Sequence, residues 1–270
     1  MRPALFLHVA SMSARRSLSY RADFWIQAVL TFAAELGLAW FLWAGMLAAS
    51  GAPTLGGMGF EELVRYAVLV ALVGKVVRGT ELEGAIAQEI YEGGLSRYRV
   101  YPVSFFAFKY AQHLGSLLPS VAQLLVFGAA WVLLRGEAGL EGITPATAAG
   151  CVLALAVGNL LQFTLAWPIQ GVAFWAENVW SLMVALRFVG SLLGGALLPL
   201  GVWPEALRPV LEALPFRYLY AFPVEVLTGH VGGAALVQGL CVALGWTALL
   251  GWAGAAVWRR GDRIYSGAGM

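Results

Sequence analysis

The sequence predicts an all-α integral membrane protein of about six transmembrane helices, with an N-terminal interfacial helix, a short cytoplasmic helix and re-entrant helices ahead of the last crossing. Three observations carry this. The 270 residues are 60% hydrophobic and 12% charged, whereas a soluble domain is roughly 45–50% apolar and about 25% charged, so there are too few charges to cover a water-facing surface. The apolar residues gather into runs close to the ~20 needed to cross a bilayer. Lysine and arginine crowd the connections on one side of those runs.

Taken in order, residues 1–22 are too polar to cross. Phe6, Val9 and Tyr20 share one side of a helical wheel, and His8, Ser11, Arg15 and Ser19 another. That pattern suits a helix lying in the headgroup layer with its arginines toward anionic lipid. The first crossing is expected at 24–49, opened by Asp23 and closed by Ser50-Gly51-Ala52-Pro53. A short second crossing is expected at 63–77, after Glu61-Glu62. The third, at 105–134, is long enough to need tilt or an interfacial part. The fourth and fifth are expected at 146–167 and 179–198. The segment 199–230 holds five prolines among apolar pieces that are too short to span and too apolar for water, so it should dip into the membrane and return, shielded by protein. The last crossing, 231–258, ends at Arg259-Arg260. No cleavable leader is expected, because the first long apolar run starts only after about twenty residues.

Orientation follows from the cations. With the N-terminus inside, the cytoplasmic side receives Arg2, Arg15, Arg16, Arg21, Lys75, Arg78, Arg97, Arg99, Lys109, Arg259, Arg260 and Arg263, and the outer side Arg65, Arg135, Arg208 and Arg217. Twelve against four places both termini in the cytoplasm. A net charge of +2 offers nothing to a nucleic acid. Cys151 and Cys241 lie in apolar runs and read as small buried hydrophobes rather than as a metal or disulfide site.

Three segments stand out. Between the second and third crossings, 81–94 carries Leu82, Ile86 and Ile90 at four-residue spacing, a helical stripe flanked by Glu81, Gln88, Glu89 and Glu92. Gly93-Gly94 supply a C-cap, and Leu95, Ser96, Arg97, Tyr98 and Arg99 follow. The stripe can bury against a partner below the membrane or against the protein's own helix ends. The outer segment 199–230 can be a lid over an exit path or a structural cap. Thirdly, Glu35 and Arg187 fall inside crossings at similar depth, and intramembrane charges pair or face water, so an ion pair within one chain or across a dimer is expected. Beside Arg187, Gly190 and Gly194 form a small-xxx-small surface suited to close helix contact.

Catalytic signatures do not occur. There is no G-x-x-x-x-G-K-[ST], H-E-x-x-H, C-x-x-C or G-x-S-x-G, and His8, His113 and His230 are spread over three regions. The chain is expected to be no enzyme and to bind no metal or cofactor of its own.

Glu89-Ile90-Tyr91-Glu92-Gly93-Gly94-Leu95-Ser96-Arg97-Tyr98, followed by Tyr101-Pro102-Val103-Ser104, resembles the first cytoplasmic loop of ABC-2 type permeases, especially bacterial members of similar length. Pro199, Pro204, Pro215-Phe216 and Pro223, ending in Glu225-Val226-Leu227-Thr228-Gly229, resemble that family's segment before its last helix. The resemblance spans nearly the whole of 1–270 as one transmembrane domain. It implies a permease subunit of an ATP-binding cassette exporter in a bacterial cytoplasmic (inner) membrane. Its partners would be a separate ABC ATPase, which binds ATP and Mg, and a second permease chain, as a homodimer or related heterodimer. Residues 1–22 would be the connecting helix and 81–94 the coupling helix. Leu82, Ile86, Glu89, Ile90, Glu92, Leu95 and Arg97 would dock the ATPase. The family supplies no counterpart for Arg187. Substrate is left open, with an amphipathic or hydrophobic molecule suited to so aromatic a chain. The rival reading is an ion-coupled secondary transporter with Glu35 as its coupling site, although the repeated halves and broken mid-membrane helices of such folds are not evident.

Overall fold

The computed structural model describes residues 3–17, 21–79, 84–98, 100–101 and 103–265. The regular structure of the described residues is helical, with no strand. The helices are α1 (Pro3–Ser17), α2 (Arg21–Ser50), α3 (Phe60–Arg78), α4 (Ala85–Tyr91), α5 (Phe105–Ser116), α6 (Leu118–Arg135), α7 (Pro145–Gly171), α8 (Trp180–Leu193), α9 (Arg208–Ala213), α10 (Ala221–Leu227) and α11 (Gly233–Ile264). Four stretches are long and apolar enough to cross a membrane: Trp25–Ser50, Phe105–Arg135, Pro145–Phe174 and Gly233–Ile264. Much of the surface is large apolar side chains, among them Phe41, Leu133, Trp180 and Trp252, as a lipid-facing protein requires.

Two of the six expected crossings differ from that picture. α3 has 19 residues but carries Glu61, Glu62, Arg65, Lys75 and Arg78 at its ends, so its apolar centre is short. The run expected at 179–198 is helical only over the 14 residues Trp180–Leu193, about 21 Å at 1.5 Å per residue. The helix ends where Gly194 and Gly195 turn the chain, Gly195 at φ +90°, and the chain then continues into the segment before α9. The expected 105–134 run is two helices, broken at Leu117 ahead of Pro119, whose ring nitrogen cannot donate to the preceding turn. α7 runs past the expected end at residue 167, through Pro168. Thr144, whose side chain accepts from Thr147 N, starts it.

α7 is the central post. Leu161 and Leu165 pack with Val73 and Val77 of α3, Tyr218 and Leu219 ahead of α10, and Val224 and Val226 within it. α11 lies alongside and presents glycines to rings. A Cβ at Gly239 would sit 2.2 Å from Phe222, at Gly254 2.5 Å from Trp167, and at Gly261 2.1 Å from Phe174, so any larger residue there would force a ring aside. Trp167 and Trp258 stack with centroids 4.4 Å apart. α1 packs on α5: Ser13 Oγ donates to Gln112 O at 2.7 Å, and Gly115 lets Ala10 approach. Val9 and Ala14 are its buried residues, while Tyr20 lies outside the described residues.

One polar node ties three helices together. Asn159 Nδ2, 2% exposed on α7, donates to Val76 O at 3.2 Å and Val77 O at 3.1 Å at the end of α3. It also meets His113 Nε2 of α5 at 2.9 Å. The α3 carbonyls are terminal groups without intrahelical donors, so Asn159 supplies what the helix end lacks. Asn159→Leu is expected to lower stability by about 1–3 kcal/mol, read from denaturant unfolding in detergent micelles.

Candidate functional site

Two features carry functional chemistry: a braced platform around α4, and a series of cavities along α3.

The platform begins beyond the end of α3. Leu82 of the expected docking set, and Glu81 beside it, lie outside the described residues. The helix that follows is the seven-residue α4, ended by Gly93 at φ +73°, with a 3-10 turn over Gly94–Tyr98. Its apolar stripe faces inward. Ile86, Ile90 and Leu95 are 0%, 2% and 5% exposed. Ile86 packs against Phe163 and Trp167, Ile90 and Leu95 against Ala173, Phe174 and Val179. Of the two places left for the stripe, it occupies the protein's own helix ends, and these three side chains are not available as a contact surface.

Polar groups fix the platform from three elements. Ile86 N, an unpaired donor in the first turn of α4, donates to the buried Gln170 Oε1 of α7 at 3.2 Å. Leu95 N donates to the hydroxyl of Tyr265, just past α11, at 3.2 Å. Lys109 of α5, 4% exposed, donates to Glu89 Oε1 at 2.6 Å and to the Tyr98 hydroxyl at 3.1 Å. Tyr98 donates to the same Glu89 oxygen at 3.1 Å, and Arg97 Nη2 stands 3.3 Å from it. Glu89 is thereby consumed inside the chain. Tyr98, and then Glu89, raise the Arg97 guanidinium above its ordinary pKa, so its charge is constant at this edge. What faces outward is Gln88, Glu92, Ser96 and Arg97, with Gln88 Nε2 donating to Glu92 Oε1 at 2.7 Å.

The second feature runs from the opposite end of α3 toward α4. A cavity of about 500 Å³ lies among Glu62, Arg65, Tyr66, Glu141, Pro199, Glu225 and His230. It is roofed by close backbone contacts, in which a Cβ at Gly56 would lie 2.4 Å from Gly201 and one at Gly142 2.2 Å from Thr228. Arg65 pairs with Glu141 and Arg217 with Glu225 at 2.7 Å. A second cavity of about 160 Å³ sits between α2, α3 and the segment before α9, with Glu35, Leu38, Leu42, Trp43, Val70, Arg78 and Tyr220 in its wall. Tyr66 and Pro199 line both cavities. A third, of about 20 Å³, touches Gln162, Arg187 and Gly190 and shares Arg78 and Tyr220 with the second. The second cavity thus shares wall residues with each of the other two. Among the described residues no cluster of His, Cys, Asp or Glu could hold a metal.

Glu35 and Arg187 thus line different cavities. Glu35 Oε2 is buried without a hydrogen-bond partner. Gly190 and Gly194 do support close packing, but with their own chain. A Cβ at Gly190 would meet Phe216 at 3.6 Å, and one at Gly194 would lie 2.5 Å from Phe216 O and 2.7 Å from the Tyr220 ring. The residues that sequence reasoning passed over are Lys109, Gln170, Asn159 and Tyr265. For Asn159 the signal was present, since a polar side chain inside an apolar helix needs a partner; Gln170 and Tyr265 lie beyond the expected crossings, and Lys109 read as one more cytoplasmic flanking cation.

The fold and these features define a multi-pass helical membrane protein with a preformed polar platform at one end. The sequence matches the profile of the ABC-2 family transporter proteins over residues 33–269, and the chain belongs to that family. Its members are permeases of ABC transporters, normally the non-catalytic membrane subunits, that associate with an ABC ATPase. No curated protein matches the sequence.

Removing one partner of a buried ion pair costs more than removing both. Lys109→Met is therefore expected to destabilise the platform by about 3 kcal/mol, and Lys109→Met with Glu89→Gln by markedly less. Limited proteolysis within 84–98 alongside thermal unfolding checks the order.

Proposed function

We propose that this chain is the permease subunit of an ATP-binding cassette exporter in a bacterial cytoplasmic membrane. It works with a separate ATPase that binds ATP and Mg and with a second permease chain, identical or related. Its termini lie in the cytoplasm and α4 is the coupling helix. α3 and α8 complete six passes, α8 with the help of the residues that follow Gly194. The observation that carries this reading is the bracing of α4. A seven-residue helix is far too short to hold itself in water, yet this one is fixed by Gln170, Lys109 and Tyr265 with a polar edge outward.

The bracing also specifies how a push on α4 travels. ATP-driven closure of two ATPases displaces the Gln88–Glu92–Arg97 edge. Gln170 and Lys109 hand that displacement to α7 and α5, and Asn159 hands it from α7 to the end of α3, a helix that lines all three cavities along its length. The device is a bias between two packings, supplied by nucleotide through the partner. The mostly apolar wall of the cavity between α2 and α3 suits an amphipathic or hydrophobic substrate.

Co-purification in mild detergent from the native host is the test. An ABC ATPase is expected at one-to-one ratio with this chain. Gln88→Arg with Glu92→Arg should strip it away while leaving the chain's own melting temperature within a degree or two, since both side chains are exposed. Absence of any ATPase, together with transport that follows a proton gradient, would replace this reading with an ion-coupled carrier centred on Glu35, a residue with an unpartnered buried oxygen.

A further inference from the structure

The cavity between α2 and α3 contains an unmet chemical demand. Its wall is aliphatic and aromatic except for Glu35, Arg78 and the tyrosine hydroxyls. Glu35 Oε2 is buried and has no hydrogen-bond partner. A carboxyl oxygen left so in a lipid-embedded site is costly, and such groups mark places where a ligand or ion passes. Neither nearby cation hydrogen-bonds that oxygen, and each has contacts elsewhere. Lys75 Nζ donates to Gln123 Oε1 at 3.3 Å and lies over the rings of Phe32 and Phe127, 5.7 and 5.3 Å from their centroids. Arg78 Nε donates to Gly74 O at 3.2 Å, and its guanidinium faces the Tyr220 ring at 5.9 Å.

We infer that this cavity is the holding site for substrate, and that it selects amphiphiles whose head is a protonated primary amine. The ammonium donates to Glu35 Oε2, and the chain lies along the apolar wall formed by Leu38, Leu42 and Val70. The volume of about 160 Å³ admits several water-sized groups, so it receives the head and the first methylenes rather than the whole molecule. The inner neighbour of about 20 Å³ holds one water at most, which makes the Arg78–Tyr220 contact the closed inner partition. Tyr66 and Pro199 are the partition toward the 500 Å³ outer cavity. Tyr66 is pinned there by its hydroxyl, which donates to Gly195 O at 2.9 Å.

This substrate class rests on the exporter reading, and the test keeps the two apart by reading binding without nucleotide. The full chain in lipid nanodiscs is labelled with a diazirine derivative of dodecylamine. Labelled residues are mapped by mass spectrometry, with dodecylamine, dodecanol or dodecanoate as competitor. Label is expected on the cavity-facing turns of α2 and α3, and dodecylamine should compete at least about tenfold better than the other two. Glu35→Gln, which keeps the shape, should erase that preference. Ala39→Leu, which narrows the cavity, should weaken labelling even if Glu35→Gln fails to fold. Equal competition by all three, a preference retained in Glu35→Gln, or labelling indifferent to Ala39→Leu would overturn the proposal. A labelled cavity in a chain that recruits no ATPase would leave the amine site standing and remove the exporter.

Discussion

Everything in this protein hangs on how α7 satisfies the backbone ends of its neighbours. The last carbonyls of a helix and the first amides of the next, once buried, need partners that the helices themselves do not supply. The chain meets this with two amide side chains on a single post. Asn159 donates to the terminal carbonyls of α3, and Gln170, eleven residues further along, accepts from the first turn of α4. The spacing matters. At 1.5 Å per residue the two amides stand about 16 Å apart, so one rigid helix holds both the inner end of a cavity-lining helix and the platform beneath it. Aromatic packing fixes the post itself: Trp167 stacks on Trp258, and α11 yields glycines wherever a ring must enter.

That arrangement explains why α4 can be so short. Its stability comes from Phe163, Trp167, Phe174 and Val179 beneath it, not from its own hydrogen bonds. The Glu89–Lys109 contact adds orientation more than energy, because a buried ion pair roughly offsets its own desolvation. Tyr98 completes the set by contacting both charges while packed between Phe105 and Phe108. A helix held this way moves only together with α5, α7 and the end of α11.

The sequence made the helices legible, because long apolar runs have few alternatives in lipid, and the chain's ABC-2 character was readable from the 89–104 and 199–229 stretches. The loop's apolar stripe was legible as a stripe but not as inward-facing, since periodicity gives a face and not its partner. The short α8 was hidden for a different reason. Residues 194–198 are as apolar as the helix before them, and only the turn at Gly194–Gly195, followed by Pro199, separates the two. Depth along a helix is computable from sequence while azimuth is not, and within one chain Glu35 and Arg187 line different cavities. Arg78 and Tyr220 stand in the walls of both cavities between them.

The same geometry bears on whether 199–230 is a cap or a gate. A passive cap would contact only the roof loops, as Gly201 does with Gly56. This segment goes much deeper: Tyr220 reaches Gly74, where a Cβ would lie 3.3 Å from its ring, about 21 Å along α3 from Phe60 at 1.5 Å per residue. There Ala221 N donates to Gly194 O at 3.1 Å, coupling the segment to the end of α8. Tyr218 O meanwhile sits against Gly158, one residue from Asn159. A displacement at the Asn159 node is therefore felt at once by the end of α3 and by the segment carrying Tyr220. Both sides of the Arg78–Tyr220 contact respond to the same shift of α7, which is the property a partition needs if it is to open on command rather than by thermal fraying.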